Sequence, residues 1–265
     1  MLYIIAIIMF ACEILNIFAF LYKNSTLKQV SKYLFLFGSL GLFAYIFKLK
    51  ACPLNTLKGS ILLFAIFLDI LSVFFVLKYR LDSVISIVSP ILGIIIILSF
   101  FVDKSAFYVP VKHYDFLLRF HIFSSFLAYA SLIFSAIASI LFLRAHRSLK
   151  KKKISQVFKE IPSFPFLEKA IDHATAFGLI FTSFTILTGF ILLEIYYQTI
   201  FIWDIKIIGF ILLYVLYVIF FILRFVKNIN IVTWAKYNII AALFLFTLFL
   251  IGNTFIPGIH NFSWN

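Results

Sequence analysis

The sequence predicts an all-α membrane protein, a polytopic bundle of about eight transmembrane helices, and three observations carry that expectation. The 265 residues are 64% hydrophobic and only 12% charged, whereas soluble domains are about a quarter charged. The apolar residues fall in long runs, each broad enough to approach the ~20 residues a helical span needs. Thirty-seven Phe beside 9 Gly and 6 Pro favour uninterrupted helices over a membrane barrel, whose segments of about 10 residues alternate in polarity between turns.

The eight runs follow in order, most bounded by charged or turn residues. Residues 2–22 form the first, ending at Lys23 and Asn24; lacking a basic start and a small-residue cleavage site, it reads as a retained span and not a cleaved signal. The second, 33–47, lies between Lys32 and Lys48 and is short for a span. The third, 59–77, follows Lys58 and stops at Lys78. The fourth, 84–102, ends at Asp103. The fifth, 116–143, is held between Asp115 and Arg144, and the sixth, 174–193, between His173 and Glu194. The seventh, 207–223, separates Lys206 from Arg224, and the eighth, 238–256, ends at Pro257 and Gly258. All eight make one integral membrane domain over 1–265. The largest loop, 144–173, contains Pro162 and Pro165, which are expected to break any helix there.

The net charge of +13 would suggest nucleic acid in a soluble chain, but here the cations sort by side. If loops alternate, Lys23, Lys28, Lys32, Lys78, Arg80, Arg144, Arg147, Lys150, Lys151, Lys152, Lys153, Lys159, Lys169, Arg224, Lys227 and Lys236 share one side. Lys48, Lys50, Lys58, Lys104, Lys112, Arg119 and Lys206 occupy the other. The positive-inside bias assigns the first side to the cytoplasm and both termini to the outside of a plasma-type membrane. The run "RSLKKKK" is then a topology determinant near anionic lipid, with no nucleic-acid partner required.

Several chemistries are excluded. Cys12 and Cys52 fall at different depths, and neither CxxC nor CxxCH is present, so thiol exchange and covalent haem attachment have no motif. Hydrolase, phosphate-loop, dinucleotide and zinc-protease signatures are missing, as are internal repeats and paired broken spans of the transporter kind. No self-contained catalytic site is expected.

What remains is a set of ionisable and aromatic residues at particular depths. His146 sits in the basic inner loop and His173, beside Asp172, near the inner end of the sixth run; His113, His121 and His260 fall on or near the outer face. Imidazole is a common haem-iron ligand, and two can coordinate from opposite faces, although interface histidines are also common. Glu13 and Asp69 lie inside runs, where an ionisable group costs on the order of 3 kcal/mol on insertion scales. Each serves a proton or ligand relay, or is simply neutralised by a neighbouring polar group. The outer segments "DKSAFYVPVKHYDF" and "EIYYQTIFIWDIK" mix rings and charges, as membrane interfaces do.

Taken together and in order, these pieces resemble the CcsA/HemX-type cytochrome c assembly proteins, part of a haem-handling group marked by a tryptophan-rich WWD segment. "CPLNTLKGS" at 52–60 is similar to that family's "FPLSNLYES", "LLRFHIF" at 117–123 to its "WLxxHV", and "FGLIFTSFTILTGFI" at 177–191 to its "GFPLLTLGIITGAI" helix. The closing "PGIHNFSW" at 257–264 is similar to "GLHSYGW". The family's W-G-x-x-W-x-W-D-P-K-E, set on Trp203 and Asp204, places Tyr197 and Phe201 at the other two tryptophan positions and Lys206 at the lysine. The resemblance implies His121 and His260 as axial ligands of a non-covalent haem b, and an aromatic shelf of Tyr197, Phe201 and Trp203 on the porphyrin face. It further implies that Lys206 meets a propionate and that Asp204 orders the turn. It implies delivery or ligation of haem to apocytochrome c beside a CcsB/ResB-type partner in a bacterial-type plasma (inner) membrane, as one component of a haem ligase.

The sequence also departs from that pattern. Ile205 and Ile207 replace Pro and Glu, and Ile222 stands where ligase-type members carry an intramembrane histidine. A HemX-like membrane regulator of haem biosynthesis is therefore the alternative, and a small-molecule transporter using Glu13 and Asp69 a further one.

Overall fold

The computed structural model describes residues 1–22, 24–48, 57–79, 82–101, 115–151 and 163–255. Within them the chain is helical, with α1 Leu2–Leu21, α2 Ser25–Lys48, α3 Leu57–Tyr79, α4 Ile85–Phe101, α5 Asp115–Lys150, α6 Phe164–Tyr197, α7 Ile205–Val226 and α8 Ile231–Phe255. A 3₁₀ turn, Asp82–Val84, precedes α4, and no strand occurs among the described residues. Seven of the eight helices carry an apolar window long enough to cross a membrane. α2 is the more polar one, with Lys28, Gln29 and Lys32 in its first half.

The helices outrun the apolar segments that announce them. α2 starts eight residues before residue 33 because Asn24 caps it, its Oδ1 accepting the Thr26 N–H at 2.9 Å and the Leu27 N–H at 3.2 Å. Asn230 does the same for α8, with Val232 N–H at 2.9 Å. α5 has 36 residues, about 54 Å at 1.5 Å per residue, well beyond a ~30 Å hydrocarbon layer. Arg144, His146 and Arg147 are therefore helical and not part of a loop. The expectation that Pro165 breaks the helix is corrected in the same way: it lies in the first turn of α6, where its missing N–H has no intrahelical partner to lose.

Packing divides the bundle into two groups of four. α1 packs on α2 and α4, and α3 on α4; α5 packs on α6 and α8, and α7 on α8, with α3 against α5 joining the groups. Within each group these packed pairs run antiparallel, whereas α3 and α5 run parallel, Phe67 meeting Phe123 and Phe75 meeting Phe134. Gly38 of α2 lies against Ile8 and Met9 of α1, and Gly41 against Ile5. The α5 helix is the most enclosed and α7 the most exposed.

The α5–α6 seam is a ladder of mostly small and polar side chains: His121 with Thr188, Ser124 with Thr185, Leu132 with Gly178, Ser135 with Thr175. Such residues let helix backbones approach where lipid removes the hydrophobic drive to associate. At one rung Asn238 of α8 joins, its Oδ1 3.0 Å from both the Ser135 and Thr175 hydroxyls, while Nδ2 donates to the Trp234 carbonyl at 3.0 Å. A β-carbon on Gly178 would stand 2.7 Å from Leu132 Cδ2 and 2.9 Å from Cγ. Gly178→Val is accordingly expected to cost ~1–3 kcal/mol through overpacking, read as a lowered midpoint of thermal unfolding in detergent.

The alternation carries Lys28, Lys78, Arg144, Arg147, Lys169, Arg224, Lys227 and Lys236 to one end of the bundle, called the basic end below.

Candidate functional site

At the end opposite the basic one, His121 stands on the second turn of α5. Its Nδ1 lies 3.0 Å from Thr188 Oγ1 on α6. The Thr188 hydroxyl has one proton, and its oxygen sits 2.7 Å from the Phe184 carbonyl one turn back. The Thr188 contact holds the imidazole from its Nδ1 side, as the group behind a metal-ligating histidine does. Gly189 gives the ring its space, since a β-carbon there would lie 3.2 Å from His121 Cε1. The His121 carbonyl accepts from Ser124 and Ser125 hydroxyls at 3.0 and 2.7 Å.

The aromatic segment caps the same end. α6 terminates at Gln198 in the left-handed conformation, φ 52° and ψ 36°, and Thr199 Oγ1 donates to the Phe201 carbonyl at 2.9 Å. These two features turn the chain sharply into α7. Tyr197 and Phe201 are exposed, and Trp203 is 86% exposed, with the Phe201 and Trp203 rings edge to face at 5.3 Å. Asp204 is only 6% exposed. It occupies the N-cap of α7, its carbonyl taking the Ile208 N–H at 3.0 Å, where a carboxylate faces the positive end of the helix.

The expected site residues thus fall at two depths. Tyr197, Phe201, Trp203 and Asp204 share one connection, while Thr188, level with His121, is nine residues down α6 from Tyr197, about 14 Å at the helical rise. Lys206 lies in the first turn of α7 by its backbone. His260 and His113 lie outside the described residues, as does most of the 52–60 segment.

Sequence reasoning passed over the basic end, where Arg224 of α7 joins two acids of α6. Its guanidinium pairs with Glu168 and, at 3.4 Å, with Asp172 Oδ2; Nη1 donates to the Ile229 carbonyl at 2.9 Å, and Trp234 Nε1 donates to Asp172 Oδ1 at 2.9 Å. This cluster ties α6, α7 and α8 together. The i, i+4 spacing of Glu168 and Asp172 was its only trace in the sequence. Nearby, Tyr79 of α3 hydrogen-bonds His173 Nδ1. Ile222 is 52% exposed, so the position where a histidine was missed faces out of the bundle.

Of the two acids inside spans, Asp69 is 3% exposed and its Oδ1 lies 2.8 Å from Ser39 Oγ, which is also 2.9 Å from the Phe35 carbonyl. Ser39 thus gives this carboxyl a hydroxyl donor inside the span.

No group of three or more His, Cys, Asp or Glu able to hold a metal ion occurs among the described residues. The cavity between α5, α6, α7 and α8, lined by Leu132, Thr182, Tyr214 and Tyr217 among others, has room of about 10 Å³, enough for one water. A porphyrin does not fit there. The end opposite the basic one instead holds an imidazole below exposed aromatic rings.

A family model described as cytochrome C assembly protein matches residues 1–260. The chain belongs to the cytochrome c assembly protein family. This cytochrome c assembly protein is a multi-pass helical membrane protein with a role in cytochrome c biogenesis. A comparison with curated proteins gave no match.

Proposed function

We propose that this cytochrome c assembly protein binds haem b non-covalently at the end of the bundle opposite the basic one and delivers it for ligation to apocytochrome c. The observation that carries the reading is the placing of His121 at that end of the bundle, its Nδ1 held by Thr188 and the aromatic segment capping the same end. His260 would supply a second nitrogen ligand, Tyr197, Phe201 and Trp203 an aromatic surface for the porphyrin, and Lys206 a cation for a propionate. Bound there, haem supplies the porphyrin vinyl groups to which apocytochrome thiols are joined. The protein's part is to bind, orient and shield; none of its own residues acts as a nucleophile. A CcsB/ResB-type membrane partner holds the apocytochrome, and the complex works in a bacterial-type plasma (inner) membrane. Asp204 fixes the turn from which the aromatic segment projects.

The reading is tested in cells lacking the native gene, by measuring covalently bound haem in c-type cytochromes. Full-length protein is expected to restore it and His260→Ala to fail, with substitutions in 152–162 tolerated. Restoration by His260→Ala, with haem-synthesis enzyme levels instead following changes in 152–162, would replace this reading with the HemX-like regulatory one.

The Thr188 contact yields its own prediction. Thr188→Val keeps the side-chain volume and removes the hydroxyl that holds Nδ1, so haem affinity is expected to fall roughly 10–100-fold, the usual cost of losing a partner behind a metal ligand. Hemin titration of the purified variant, followed by absorbance, measures it.

A further inference from the structure

The polar groups of α1 that face α4 are not used by the haem reading. Two contacts fix the register of these helices: Tyr3 stacks on Phe100 at 3.9 Å, and a β-carbon on Gly93 would meet Phe10 Cε2 at 2.8 Å. Seven residues along each helix separate the two contacts, so α1 and α4 run antiparallel and in step. One turn further, Glu13 follows Phe10 on the same face of α1 and Ser89 precedes Gly93 on the same face of α4. Asn16 lies one turn beyond Glu13.

At this level Glu13 Oε2, Asn16 Nδ2 and Ser89 Oγ are buried without a hydrogen-bond partner. Ser89 is fully buried, yet it does not do what other helical hydroxyls of this chain do, as when Ser39, Ser72, Ser131 and Thr182 each bond the carbonyl four residues back. Pro90 beside it lies inside α4 and takes away the N–H that would bond the Ser86 carbonyl. The site therefore presents an acceptor, a donor and a hydroxyl that serves as either. A bare cation takes acceptors only; water both accepts from Nδ2–H and donates to Oε2, and two to four polar partners are what a buried water has.

The surrounding charges decide the state of the carboxyl. α4 has no titratable residue between Ile85 and Phe101. Glu13's own helix adds the buried Cys12 beside it and the exposed Tyr3. From α2 come Lys28, the exposed Tyr33 and Lys32, whose Nζ is taken by Asp82 Oδ1 at 2.8 Å. Lys32 is thus engaged elsewhere and no ion pair to Glu13 occurs among the described residues, so an ionised carboxylate at this depth is costly.

We propose that Glu13, Asn16 and Ser89 form a proton-binding site between α1 and α4, in which an internal water is held against the Glu13 carboxylic acid. Water and proton are its ligands, and it stands apart from His121 and the aromatic segment.

Infrared spectroscopy of the full-length protein in lipid nanodiscs tests this. The expected result is a carboxylic acid C=O band that vanishes in Glu13→Gln, persists in Asp69→Asn, moves down on transfer to D₂O and moves up in Ser89→Ala. The Ser89→Ala and Asn16→Ala shifts are read on the native acid, so they decide the matter even if Glu13→Gln does not fold. Absence of a Glu13-dependent band, a band indifferent to D₂O and to Ser89→Ala, or its loss on adding sodium chloride would each overturn the proposal, the last by showing that a cation displaces the proton.

Discussion

His121→Ala is expected to abolish haem retention and, in cells, to reduce haem covalently bound to c-type cytochromes to the level of the gene deletion. The effect exceeds that of Thr188→Val because the ligand itself goes and not the group behind it, so the loss in affinity should pass the roughly 10–100-fold typical of supporting residues. Structure should survive. His121 is half-buried, and when its contact with Thr188 goes the Thr188 hydroxyl keeps its bond to the Phe184 carbonyl. A useful control is Ile222→His, which restores the residue type of ligase-type members at a position facing out of the bundle; it is expected to leave haem retention unchanged. Heme titration together with size-exclusion profiles of the three proteins separates lost binding from lost folding.

Arg224→Met is expected to produce the largest loss of stability of any single change at the basic end, ~3–5 kcal/mol. Arg224 is the cation shared by Glu168 and Asp172, and its side chain is only 13% exposed. Removing it leaves Asp172, only 14% exposed, without its cation and one helical turn from the more exposed Glu168, while the Ile229 carbonyl loses its donor. The cost belongs to the unpaired acids more than to the missing attraction. Adding Glu168→Gln and Asp172→Asn to Arg224→Met should therefore recover most of the stability, since Trp234 Nε1–H can still donate to the amide oxygen at 172. Thermal unfolding in detergent, compared across the single and triple variants, checks both halves of this expectation.

The helices were legible because lipid imposes a plain rule: a span must be apolar for about 20 residues and must satisfy its own backbone. The same rule hides the helix ends. Apolar runs mark the hydrocarbon layer, whereas α2, α5, α6 and α8 continue into the polar zones under caps such as Asn24 and Asn230, and Pro165 turned out to open a helix. The aromatic segment was legible as a spacing of rings, but not the left-handed Gln198 that aims it. His121 could be picked from the sequence; Thr188 and Gly189 could not, because a partner sixty-seven residues away is set by the α5–α6 register. That register was nevertheless present as a stripe of Ser, Thr, Gly and Ala at helical spacing along both helices. Arg224 looked like one more topology charge, since nothing local distinguishes a solvated cation from one that joins three helices.

The most direct test of the central claim is an absorption spectrum of the purified, detergent-solubilised protein from haem-replete cells, oxidised and then reduced, with and without added hemin. The account predicts stoichiometric haem with a low-spin, bis-histidine Soret and α-band pattern that weakens in both His121→Ala and His260→Ala at unchanged protein yield. Protein that takes up no stoichiometric haem even after hemin is added, or whose spectrum is the same in both variants, would contradict it.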